Sequence, residues 1–123
     1  MNYNVILRGD VWWVDLDNAF PVMPPNKDHY QRGIRPCVIL SNNTNNRHCS
    51  TIQVVPLTTQ EDDLPQHTYI YVNNIKNYVL PEDIMTVHKT FLRGKYGFIN
   101  KDMFKRVEQA VNIQLGMYKG VNG

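Results

Sequence analysis

The hydrophobic and polar positions divide the chain into short stretches of strand-like pattern followed by one stretch of helical period. "GDVWWVDLD" (residues 9–17) is dense in β-branched and aromatic residues and predicts a first strand. "PCVILS" (36–41) and "TIQVVPLT" (51–58) predict a second and a third, joined by the polar run "NNTNNRHC", which reads as a turn region. Pro56 inside the third strand predicts an edge or a bulge there. "HTYIYVN" (67–73) predicts a fourth strand, "EDIMTVHK" (82–89) a fifth and "YGFIN" (96–100) a short sixth. From Asn100 the period changes. Met103, Phe104, Val107, Ala110, Val111 and Leu115 fall on one face of a helix. Asn100 is its expected N-cap, Ile99 and Phe104 have the spacing of a hydrophobic staple, and Gly116 marks its end.

Between the first two strands lies "NAFPVMPPNKDHYQRG" (18–33), sixteen residues with three prolines. A loop this long in a compact domain is usually functional or disordered. Five or six short strands and one closing helix predict a mainly β fold with a C-terminal α-helix: a small, strongly curved β-barrel or half-barrel with the helix packed on it. The chain shows no internal repeat and no low-complexity tract. Its 123 residues fit a single domain over 1–123.

Composition adds little to this picture. Hydrophobic residues at 42% and charged residues at 20% are ordinary for a soluble domain. No apolar run approaches the roughly 18 residues of a membrane span. The N-terminal "MNYNVILRGD" lacks a signal-peptide pattern, so the expected location is cytoplasmic. Cys37 lies within an apolar run and reads as a small core residue; a disulfide to Cys49 is not expected. The four histidines are scattered, and neither a metal nor another cofactor is expected. The charge of +2 is unevenly spread: residues 83–123 carry seven Lys/Arg against three acids. Such a segment suits a polyanion partner or a plain solvated surface equally well.

The chemistry concentrates around "GIRPCVILSNN" (33–43). Pro36 forces the residue before it into an extended conformation, so Arg35 is expected at the mouth of the second strand with little backbone freedom. If the polar run closes a simple hairpin, Arg35 falls opposite Thr58 at one end of the sheet. The long loop leads into that end with His29, Tyr30, Gln31 and Arg32. A planar, permanently charged guanidinium, a hydroxyl and a group that titrates near neutral pH together suit a phosphodiester. The plainer alternative is a surface arginine with an acidic neighbour.

The motifs "RGDVWWVDLD", "GIRPCVILSNN", "VVPLTT" followed by "LPQH", and "EDIMTVHK" followed by an amphipathic helix resemble, in order and spacing over residues 8–116, the MazF/PemK toxins of bacterial toxin–antitoxin pairs. The resemblance implies an SH3-like, CcdB-like curved barrel and a homodimer. It implies metal-independent cleavage of single-stranded RNA by 2′-hydroxyl attack, leaving a 2′,3′-cyclic phosphate and a 5′-hydroxyl. It also implies a cognate antitoxin, with DNA contacted only through the antitoxin complex. On this basis Arg35 and Thr58 are the catalytic pair and His29 a proton carrier. Arg8, Gln31, Thr59, His67, Asp83 and Thr86 are expected RNA contacts.

The sequence departs from the family at three positions. Tyr30 stands where the family has glutamate; it either meets RNA, by stacking or through its phenol, or anchors the loop. Met85 and His88 stand where "I-R-T-I-D-K" has arginine and aspartate. These changes bear on proton transfer and base specificity. Two alternatives use the same scaffold: an RNA-binding barrel without catalysis, or a gyrase-poisoning toxin. Of Trp12 and Trp13, adjacent on a strand, one is expected in the core and the other partly exposed. "RGD" (8–10) opens a strand rather than an adhesion loop, and "NNT" (42–44) is a glycosylation sequon in form only.

Overall fold

A computed structural model describes residues 5–19, 33–60 and 68–117. Among the described residues seven strands follow one another: β1 (Asp10–Asp15), β2 (Ile34–Ile39), β3 (Thr51–Thr58), β4 (Tyr69–Val72), β5 (Ile75–Val79), β6 (Met85–His88) and β7 (Leu92–Phe98). The α-helices among them are α1 (Leu16–Ala19), α2 (Asn43–His48) and α3 (Lys101–Gln114). The sheet order is β4-β5-β3-β2-β1-β7, with β6 branching from β3. Each of these pairings is antiparallel. The path curls on itself. Asn73, in the β4–β5 turn, donates its side-chain amide to the Tyr96 carbonyl of β7 at 2.9 Å, so the two outer edges meet.

The curl creates two apolar interiors. One gathers Trp12, Val14, Leu16, Cys37, Ile39, Ile52, Val54 and Val87. The other lies under α3 and gathers Val11, Val38, Val55, Leu57, Ile70, Val72, Val79 and Val107. Alternate residues of β1, β2 and β3 feed alternate sides, as the period of two requires. Trp12 is buried while Trp13 is half-exposed with its ring 4.7 Å from that of Tyr96. α3 starts where its sequence says it should: Asn100 accepts from the Met103 N–H at 2.9 Å, and the chain leaves the helix at Gly116 with φ +71°.

Four expectations are corrected. The polar run after β2 is a helix, α2, because asparagine caps as readily as it turns. Asn42 accepts from the Asn45 N–H at 2.8 Å, and Asn46, only 1% exposed, donates to the Ser41 carbonyl at 2.8 Å. Pro56 sits on the central strand rather than an edge. β3 pairs β6 through Thr51–Val54 and β5 through Leu57–Thr58, so the missing N–H falls where the partner changes. The single expected strand at 67–73 is one arm of a hairpin. Asn73 and Asn74 adopt φ of 50° and 65°, which makes a two-residue turn and adds β5. The expected short strand at 96–100 begins earlier, as β7 from Leu92.

The buried amide of Asn46 also accepts from the Ser41 hydroxyl, which in turn accepts from the Gln53 N–H at 3.1 Å. Truncating it strands several of these groups away from water. Asn46→Ala is therefore expected to destabilise the fold by about 1–3 kcal/mol, read as a lower denaturation midpoint with an unchanged slope.

Candidate active site

β2 carries Arg35. Gly33, at φ +74°, turns the chain into the strand, and its carbonyl accepts from the Leu16 N–H at 2.9 Å. Arg35 then pairs with Val14 of β1, extended and exposed, one residue before Pro36. On its other side β2 pairs with β3 as Cys37↔Pro56, Val38↔Val55 and Ile39↔Val54. This is the register expected from the sequence, and α2 does not shift it because the residue count between the strands is unchanged. The ladder ends at Cys37↔Pro56. Arg35 and Thr58 each lie two residues beyond that pair on their own strands, toward the same end of the sheet. Both fall on the sheet face that carries Cys37 and Val54 deeper in.

Thr58 is half-exposed, and its Oγ1 accepts from the Gln60 N–H at 3.1 Å. That bond fixes the oxygen while leaving its proton to be donated. Thr58 pairs with Tyr78 of β5, and Tyr78 with Tyr69 of β4. One cross-strand row therefore runs Thr58, Tyr78, Tyr69. Asp15, paired with Ile34 at the end of β1, accepts from the Asn18 side chain and backbone and pairs with Arg93 at 3.1 Å. The Asn18 hydrogen bonds, with help from Arg93, hold its carboxyl below the usual value. Cys37 is no nucleophile: it is buried, and burial pushes its thiol well up.

The other expected RNA contacts are dispersed. Thr59 follows Thr58 and is exposed. Asp83 ends a single 3₁₀ turn, Pro81–Asp83, which is tied to the same end of β3 by the Leu80 N–H donating to the Pro56 carbonyl at 3.0 Å. Thr86 pairs with Gln53 and accepts from its side chain at 3.1 Å, five residues from Thr58 along β3 and on the alternate face. Arg8 lies at the far end of β2. It donates to the Leu40 carbonyl at 2.7 Å, sits 4.4 Å over the Phe104 ring and pairs with Glu108 at 3.5 Å. Its neighbour Asp10 is buried, accepting from the Leu7 N–H at 3.0 Å and pairing with Lys95 at 3.3 Å, so "RGD" presents no adhesion loop. His29, Tyr30, Gln31 and His67 lie outside the described residues.

Two of the departures have a local account. Met85 packs against the buried cluster of Cys37, Ile39 and Val54, so that position serves the core. His88 accepts from the Thr90 N–H through Nδ1 at 3.1 Å and caps the 3₁₀ turn Lys89–Phe91, a task an aspartate performs equally well. The residues the sequence reading passed over are Tyr69, Tyr71, Lys76 and Tyr78. Their signal was the alternation on both sides of "NN", which marks a hairpin rather than one strand.

Comparison with known proteins decides the family. Residues 7–115 match the model of the PemK-like, MazF-like toxins of type II toxin–antitoxin systems. The chain belongs to this family. It is 32% identical over 117 residues to the endoribonuclease MazF of Staphylococcus saprophyticus, covering 90% of this chain and 92% of that one. Among solved structures it superposes with TM-score 0.71 and 28% identity on a mycobacterial endoribonuclease in complex with its cognate antitoxin, covering 97% and 99% of the two chains. It matches MazF from Deinococcus radiodurans with TM-score 0.73 at 21% identity, over 92% and 98%, which supports the fold. The expected curled, mainly β architecture with a C-terminal helix is that of the MazF toxins.

Proposed function

We propose that this toxin is an endoribonuclease that cleaves single-stranded RNA, mRNA included, without a metal ion. The observation that supports the reading is that Arg35 and Thr58 both lie just beyond the last β2–β3 pair, Cys37↔Pro56, toward the same end of the sheet, within a MazF-family chain. In the reaction, the 2′-oxygen loses its proton and attacks the adjacent phosphorus. The bond to the 5′-oxygen breaks, and that oxygen takes up a proton. The products are a 2′,3′-cyclic phosphate and a 5′-hydroxyl. Negative charge builds on the non-bridging oxygens at the pentacoordinate stage, where fixed donors act most strongly. Arg35 supplies a planar, permanently charged fork and Thr58 a neutral donor. An arginine stays protonated, so proton removal falls to another group; His29 is assigned to it.

The same reading includes a cytoplasmic homodimer and a cognate antitoxin. Exposed Phe98 on β7 and exposed Ile113, Leu115 and Met117 at the end of α3 are apolar surface that a second copy can bury. The partner reading follows the mycobacterial endoribonuclease that superposes on this chain, which is in complex with its cognate antitoxin. The test incubates the purified protein with a mixed single-stranded RNA pool in excess chelator and identifies the ends. Cleavage with 5′-hydroxyl ends is expected. Products with 5′-phosphates, or intact RNA, would sink the proposal. RNA binding without turnover would point to a barrel that has lost catalysis.

A further inference from the structure

β4 and β5 present an outward face that the proposed chemistry does not use. Directly paired residues share a face, so Tyr78 and Tyr69 stand in line with Thr58, and Tyr71 and Lys76 form the next row outward. Tyr69 is 37% and Tyr71 47% exposed, neighbouring rings on the outer strand of the sheet. Two cations are fixed among them. The Lys76 ammonium lies 4.3 Å from the Tyr69 ring centre and 5.3 Å from that of Tyr78. The Arg106 guanidinium reaches from α3 to lie 4.5 Å from the Tyr69 ring centre. It donates to the Tyr69 carbonyl at 2.9 Å and to the Thr68 hydroxyl at 3.1 Å. Tyr69 thus works as a clamp for both cations. Tyr71 meets it edge-on, with centroids 5.9 Å apart, and keeps the larger exposed surface.

We propose that this face is a nucleotide platform: Tyr71 stacks on a base flanking the scissile phosphate, and Lys76 and Arg106 hold the adjoining backbone. Exposed rings interleaved with fixed cations are what single-stranded nucleic acid recognition needs, because every base has a π-face and every linkage a negative charge. Cations already held by rings lose little freedom when they meet a phosphate. The platform is continuous with Thr58 through Tyr78, so one strand can engage both. The inference rests on the reading that RNA is the substrate, and it adds to that reading where the RNA runs beyond the cleaved bond.

The test measures binding of a fluorescein-labelled, mixed-sequence 2′-O-methyl RNA, which cannot be cleaved, alongside cleavage of the matching RNA. Tyr71→Ala is expected to weaken binding about tenfold or more, and to raise KM more than it lowers kcat. Tyr71→Phe, which keeps the ring, is expected to bind like the wild type. Lys76→Ala is expected to weaken binding and to flatten its dependence on salt. Thermal melts of each variant separate these effects from misfolding. Tyr71→Ala and Lys76→Ala that bind the uncleavable RNA as the wild type does would overturn the platform, and weakened binding of polyglutamate by the same folded variants would then mark a protein-docking face. Loss of binding in a protein that cleaves no RNA would uphold the platform and overturn the endoribonuclease reading instead.

Discussion

Replacing Arg35 by alanine is expected to lower RNA cleavage by at least about a thousandfold while leaving the fold intact. The size follows from the charge. A guanidinium beside a phosphate on which charge is building stabilises the transition state more than the ground state, so its loss falls on the chemical step. The intact fold follows from position. Arg35 is exposed near the start of β2, while the packing of that strand comes from Cys37, Val38 and Ile39, all buried. Exposed substitutions of this kind usually change stability by about 0.5 kcal/mol or less. Arg35→Lys is expected to recover only a small part of the rate, because an ammonium keeps the charge but cannot present two parallel donors. Single-turnover cleavage of a saturating RNA, with a melting curve for each variant, decides the matter. A folded Arg35→Ala protein cleaving within about tenfold of wild type, a loss of about 1.4 kcal/mol or less in transition-state binding, removes Arg35 from the site.

The local signals in the chain were readable where one rule spoke alone. "IRPCVI" is a strand with a fixed entry because proline constrains its predecessor, and the helix from Asn100 has a cap, an apolar face and a stop. The β2–β3 register was readable because it depends only on the number of residues between the strands. The errors came where one residue type serves two purposes. Asparagine makes turns, caps helices and tolerates positive φ, so "NNTNNRHC" became a turn when it is α2, and "NN" at 73–74 ended a strand when it joins two. The second error had a consequence for the site. Without β5, Tyr78 has no place beside Thr58, and the aromatic row that continues from it cannot be seen. Pro56 taught a related lesson: proline disfavours one hydrogen bond, and a central strand can place that gap where its partner changes. Arg8, expected as an RNA contact from its motif, also bonds to Leu40 and Glu108 and stacks on Phe104, contacts with β2's end and α3 that only the tertiary structure brings together.

Thr58→Val is expected to lower cleavage by about a hundredfold to a thousandfold, less than the loss of Arg35. Valine keeps the shape and the β-branch at a strand end, so it removes the hydroxyl and little else. Two functions go with that hydroxyl. Its oxygen accepts from the Gln60 N–H at 3.1 Å and so fixes the chain leaving β3. Its proton is the donor proposed to meet the phosphate. Thr58→Ser keeps both and is expected to retain most of the activity, whereas Thr58→Asn restores an acceptor for Gln60 without the same donor position and is expected to stay slow. The comparison separates a structural role from a catalytic one. The decisive measurement is the double variant with Arg35→Ala. Two groups that meet the same phosphate act as a unit, so the double variant should be little slower than Arg35→Ala alone. If the two losses multiply, Thr58 acts independently of Arg35 and does not share its phosphate.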